Sequence, residues 1–100
     1  MMSDIPEIII TPTAGSKVHR MFSQWQMDDI VRQAWNGSIG PIYKKAGYDE
    51  FHILKDGYAV VVRWDDNKLI VPTQMHQHTD YSSDSIYSYV HNIKDEIKGA

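Results

Sequence analysis

The sequence predicts a small α+β domain, a three-stranded antiparallel meander at about residues 51–72 packed against two helices. Three observations predict it. Two dipeptide turns in the middle of the chain yield one consistent apolar sheet face. A capped amphipathic stripe precedes them, at about 24–36. A second apolar stripe follows them, at about 84–98. The predicted order is β-α-β-β-β-α in one domain over residues 1–100, a length that allows a single core. Hydrophobic residues at 42% and charged residues at 23% are near the globular average, which excludes disordered, collagenous and coiled-coil chains.

The first predicted strand is Glu7–Thr11, β-branched and bounded by Pro6 and Pro12. Those prolines suit a sheet edge. Thr13–Ser16 reads as a turn-rich link. The helix that follows has a strong start. Ser23 with Gln26 three residues on matches a capping box, and Phe22 and Met27 can staple it. Met27, Ile30, Val31, Ala34 and Trp35 form one apolar stripe, and Asn36-Gly37 suits a left-handed exit. Pro41 to Ala46 reads as a short helical turn, with Pro41 as a first position and Gly47 as a stop.

Phe51–Lys55, Tyr58–Trp64 and Lys68–Pro72 form the meander. Asp56-Gly57 is a strong two-residue hairpin signal, and Asp66-Asn67 makes the second turn. The first turn sets Ile53 opposite Val60 and Phe51 opposite Val62. The second sets Trp64 opposite Leu69, Val62 opposite Val71, and Asp65 opposite Lys68 as an expected ion pair. Both registers place Phe51, Ile53, Tyr58, Val60, Val62, Trp64, Leu69 and Val71 on one face. Residues 73–83 are polar and read as a loop. Ser82, Ser83 or Asp84 would then cap a final helix with Ile86, Tyr89, Val90, Ile93 and Ile97 as its stripe and Gly99 as its end.

The opposite sheet face carries His52, Leu54, Ala59, Val61, Arg63 and Ile70. A solvated antiparallel face should be mostly polar, so this one needs a cover. The Ile8–Ile10 segment, a loop or a second copy of the chain could supply it. His52, Leu54, Val61, Arg63 and Ile70 are therefore candidate partner-binding residues. Trp25 and Tyr87 join them, because each lies off its helix stripe and aromatic residues are enriched in binding hot spots.

Composition bears on function mainly by exclusion. With no cysteine, disulfides, thiolate catalysis and cysteine-based zinc fingers are absent. Met1-Met2-Ser3-Asp4 shows no signal-peptide pattern and no apolar run has membrane-spanning length, so a cytoplasmic protein without membrane contact is expected. Ten basic and thirteen acidic residues are spread evenly along the chain. A winged helix could be drawn with 41–46 as its recognition helix, but no basic stripe supports nucleic-acid binding. His76, His78 and Asp80 alternate in an extended segment, a spacing that could offer imidazole and carboxylate ligands to a metal; as loop residues they need no such role. No nucleophile elbow or phosphate-binding glycine loop is present. No cofactor is implied. The expected function is non-enzymatic protein binding, as an inhibitor or accessory factor of bacterial or phage type, with self-association into a homodimer as one form of that contact.

Overall fold

A computed structural model describes residues 5–16, 21–77 and 79–98. The elements in chain order are β1 (Glu7–Ile10), α1 (Gln24–Asn36), β2 (Ile42–Lys45), β3 (Glu50–Lys55), β4 (Tyr58–Asp65), β5 (Lys68–His76), β6 (Tyr87–Val90) and α2 (Ile93–Lys98). The strands form one six-stranded sheet in the order β1-β5-β4-β3-β2-β6. Among the described residues only β1 and β5 are parallel; every other neighbouring pair is antiparallel. The α+β class is as expected, but the meander is the middle of a larger mixed sheet.

Local signals account for α1. The Ser23 hydroxyl accepts from Gln26 N–H at 3.1 Å, and the Gln26 side chain accepts from Ser23 N–H at 2.8 Å, so two orphan donors are satisfied reciprocally. Met27, Ile30, Val31, Ala34 and Trp35 are all buried. Gly37 ends the helix at φ 81°, and Ser38 N–H closes on the Gln33 carbonyl at 2.8 Å. Gly37 is needed twice over. A Cβ there would need a left-handed conformation and would lie 3.0 Å from the His91 ring.

The two meander turns also form as predicted. Asp56, Gly57, Asp66 and Asn67 all have positive φ, as right-twisted two-residue hairpins require. The registers Ile53 to Val60, Phe51 to Val62 and Trp64 to Leu69 hold. Asp65 lies opposite Lys68, but the lysine ammonium comes within 3.5 Å of Asp66 instead. The predicted inner face is the core: Phe51, Ile53, Val60, Val62, Leu69 and Val71 are buried beneath α1, and Trp64 stacks on Trp35 with ring centroids 6.2 Å apart.

Three segments differ from the sequence reading. Residues 42–45 form strand β2, not a helical turn, because β3 and β6 supply hydrogen-bonding partners on both sides. Residues 84–98 are not one helix. Residues 87–90 extend the sheet, and only Ile93–Lys98 is helical. Asn92 caps α2 by accepting from Asp95 N–H at 2.7 Å, replacing the expected serine or aspartate cap near 82–84. Finally, Thr73–His76 continues β5 rather than starting a loop.

That continuation crosses a bulge. Val61 faces Thr73 while Arg63 faces Ile70, so Val62 opposes both Val71 and Pro72. Proline fits there because the extra residue needs no ladder donor. The inserted residue reverses the alternation, and Gln74 turns toward the core beside Val60. Its oxygen accepts from Met21 N–H (3.0 Å) and Phe22 N–H (2.9 Å), and its nitrogen donates to the Ala14 and Phe22 carbonyls (2.9 Å each). One buried amide thus fastens the approach to α1 onto the sheet.

Candidate binding surface

The second sheet face is covered in part by the chain itself. Register places Tyr43 between His52 and Tyr89, and Tyr87 beside Lys45, so these side chains share that face. Tyr81 folds over it from the segment after β5. Its ring stacks on Tyr43 at 5.3 Å and lies 5.4 Å from the His52 ring. Tyr87 meets Tyr81 edge-on at 4.7 Å and His52 at 5.1 Å, and Tyr89 meets Tyr43 at 6.1 Å. These edge-to-face and stacked contacts suit the aromatic quadrupole.

A polar chain runs through this aromatic layer. The His52 Nδ1 lies 2.7 Å from the Tyr81 hydroxyl, and Nε2 lies 2.8 Å from Glu50 Oε2. A carboxylate can only accept, so Nε2–H donates to Glu50. In the tautomer that carries its proton on Nε2, Nδ1 accepts from Tyr81 O–H. Burial pushes the Tyr81 phenol up to about 12, and negative charge at Tyr87, Glu50 and Asp84 adds to the shift. At neutral pH Tyr81 is therefore a hydrogen-bond donor and not a phenolate nucleophile. The Glu50–His52–Tyr81 chain satisfies a buried histidine and fastens the covering segment.

This arrangement separates the candidate partner-binding residues. His52 and Val61 are 2% and 5% exposed, so neither is open to a partner: the cover sought outside is partly the chain's own Tyr81 and Tyr87. Leu54 and Ile70 are half-buried, and Arg63 is exposed. Leu54 lines an open cleft of about 500 Å³ between residues 39–41 and the β3–β4 turn, with Lys55, Asp56 and Gln77 on its walls. Tyr87 is half-buried within the aromatic layer. Trp25 stands 84% exposed at the start of α1 with Met21, also exposed, before it.

Further apolar exposure lies at Tyr48, 55% exposed in the β2–β3 turn beneath the Lys45 ammonium, and at the sheet edge. Tyr89 is 61% and Ile86 46% exposed. Among the described residues β6 pairs only with β2 and is the last strand of the sheet, so its outer backbone groups face outward. The helical spacing of Ile86, Tyr89, Val90 and Ile93 hides this edge in the sequence. The alternation Tyr87-Ser88-Tyr89-Val90 is the signal that could have shown it.

The metal alternative gains no geometry. His76 ends β5 with Nε2 3.1 Å from the Tyr58 hydroxyl. Asp80 accepts from the Ser82 hydroxyl at 2.7 Å, and hydrogen bonds from Ser82 and then Ser83 hold its carboxyl below the ordinary aspartate value. His78 lies outside the described residues. Among the described residues no group of three or more His, Cys, Asp or Glu side chains is placed to hold a metal ion. The winged-helix alternative loses its recognition helix, because 42–45 is a central strand. Among the described residues no helix is long and apolar enough to cross a membrane. Comparison with family models, curated proteins and solved structures returns no match.

Proposed function

We propose that this chain is a small non-enzymatic protein-binding domain, of the inhibitor or accessory-factor kind, whose contact surface is the outer edge of β6 with Tyr89, Ile86 and the rim of the tyrosine layer. The observation that carries the reading is the contrast between the two sheet edges. β1 is bracketed by Pro6 and Pro12 and begins with the exposed Glu7, the usual devices that blunt an edge. β6 has the sequence Tyr-Ser-Tyr-Val, with no charge, proline or glycine. An edge of that kind offers main-chain hydrogen bonds for affinity and side-chain pockets for specificity. Tyrosine adds contact area at low entropic cost.

Affinity capture from the source cell tests this with three baits: the unmodified chain, Tyr89→Lys and Trp25→Ala. The expected result is a protein retained by the unmodified chain and by Trp25→Ala and lost with Tyr89→Lys. Capture that depends on Trp25 and ignores Tyr89 would move the contact surface to the start of α1 and overturn the assignment to β6.

A further inference from the structure

We infer that the outer edge of β6 pairs antiparallel with β6 of a second copy of this chain, about a two-fold axis at Tyr89, so that one sheet continues through both copies. This rests on β6 being the contact edge and adds the occupant.

The backbone directions define the geometry. The Ile86 carbonyl accepts from Ala46 N–H at 2.7 Å, so Ile86 faces inward toward the sheet. By strand alternation Ser88 and Val90 also face inward, and Tyr87 and Tyr89 direct their backbone groups outward. The His91 N–H lies across one trans peptide from the inward Val90 carbonyl and so also points outward. Tyr87 N–H is already committed to the Asp84 carbonyl at 3.1 Å. Among the described residues that leaves Tyr87 C=O, both groups of Tyr89, and His91 N–H for a partner strand.

These free groups are self-complementary in one register. With Tyr89 opposite its own copy, the two Tyr89 residues exchange both bonds, and each His91 N–H meets the other copy's Tyr87 C=O. Setting Tyr87 opposite Tyr89 would instead require the Tyr87 N–H that Asp84 holds. A two-fold axis needs such a self-complementary patch.

Side chains agree with the backbone. Residues 85–90 carry no charge, so self-pairing opposes no like charges. The axis sets Tyr89 against Tyr89, extending the run in which Tyr81 stacks on Tyr43 and Tyr43 meets Tyr89. The other sheet edge is less suited, since Pro6 and Pro12 bracket it and it opens on the exposed Glu7. Pairing two short strands with their tyrosines buries on the order of 1,000 Å² in total, the low end for specific contacts. An interface of that size fits a weak, reversible dimer.

Sedimentation equilibrium of the full chain from about 5 to about 500 µM covers the range in which a weak dimer forms. The expected result is a reversible dimer, weakened at least about tenfold by Tyr89→Lys and by Tyr89→Glu and restored as a heterodimer when the two variants are mixed. Hydrogen exchange on the unmodified chain gives a readout that no folding defect can mimic. The Tyr89 and His91 amides slow as concentration rises, and the Tyr87 amide does not change. A monomer throughout the range overturns the second copy, and Tyr89-dependent capture of a different protein would still leave β6 as the contact edge. A dimer whose constant ignores both Tyr89 variants and whose Tyr89 amide does not slow overturns the pairing and counts against β6 itself.

Discussion

Gln74→Ala should be among the most damaging single substitutions in the chain. Gln74 is 5% exposed and makes four hydrogen bonds to backbone groups of Ala14, Met21 and Phe22. Each bond contributes a net of about 0.5–1.5 kcal/mol, and each buried group left unpaired costs about 1–3 kcal/mol. Water entering the vacated space would recover part of that, so the expected loss is about 3–4 kcal/mol. Urea unfolding followed by tryptophan fluorescence measures it. With a slope of about 1.5 kcal/mol per molar, the midpoint falls by about 2 M. Exposed Gln24→Ala serves as control, with a change within about 0.5 kcal/mol. Gln74→Glu adds a sign test. It keeps the acceptor but turns a carboxylate toward two carbonyls, so its folded pKa is raised above the unfolded value of about 4.3. Whatever stability this variant retains is fully present below that unfolded value and declines as pH rises through the raised folded pKa. A midpoint shift below about 0.5 M for Gln74→Ala would refute the claim that this amide holds the start of α1 to the sheet.

Three further outcomes follow from the packing. Gly37→Ala forces positive φ on a residue with a Cβ and presses on the His91 ring, so it should cost about 1–3 kcal/mol in thermal or urea unfolding. In a spectrophotometric titration Tyr81 should ionise late, near 12. Because its folded pKa lies above the unfolded value of about 10, its stabilising contribution is intact below pH 10 and is lost as pH rises through about 12. Tyr81→Phe should remove that late step and cost about 1–2 kcal/mol by leaving His52 Nδ1 unpaired. Trp25→Phe should remove most of the iodide-quenchable fluorescence and leave stability within about 0.5 kcal/mol, since Trp25 is 84% exposed and Trp35 only 1%.

Features decided within a few residues were legible in the sequence. α1 carries its own cap, stripe and terminator, and each hairpin turn fixes a register without reference to distant chain. Residues 42–45 were harder. Pro41 and Gly47 are helix-boundary residues as readily as loop residues, and the strand exists only because β3 and β6 flank it. In 86–97 the spacing of Ile86, Tyr89, Val90 and Ile93 fits a helix period, but Tyr87 and Tyr89 also alternate with Ser88 and Val90. Sheet pairing with β2 selected the alternation over 87–90.

The candidate surface was misplaced for a related reason. An apolar second face with His52 and Val61 was recognisable as needing a cover, but sequence spacing does not show that Tyr81, 29 residues beyond His52, supplies part of it. Gln74 was hidden by one inserted residue. Pro72 was the visible sign of the bulge that turns this polar side chain inward.

The sequence by itself determined one helix, two turns and the apolar face they imply, because capping, left-handed turn residues and side-chain periodicity act over a few positions. Only the tertiary structure decided the sheet's width, the inward turn of Gln74, the burial of His52 and the open edge at β6. Each depends on partners far away in the chain, and a strand's identity and a buried polar group's satisfaction are set by what lies beside them.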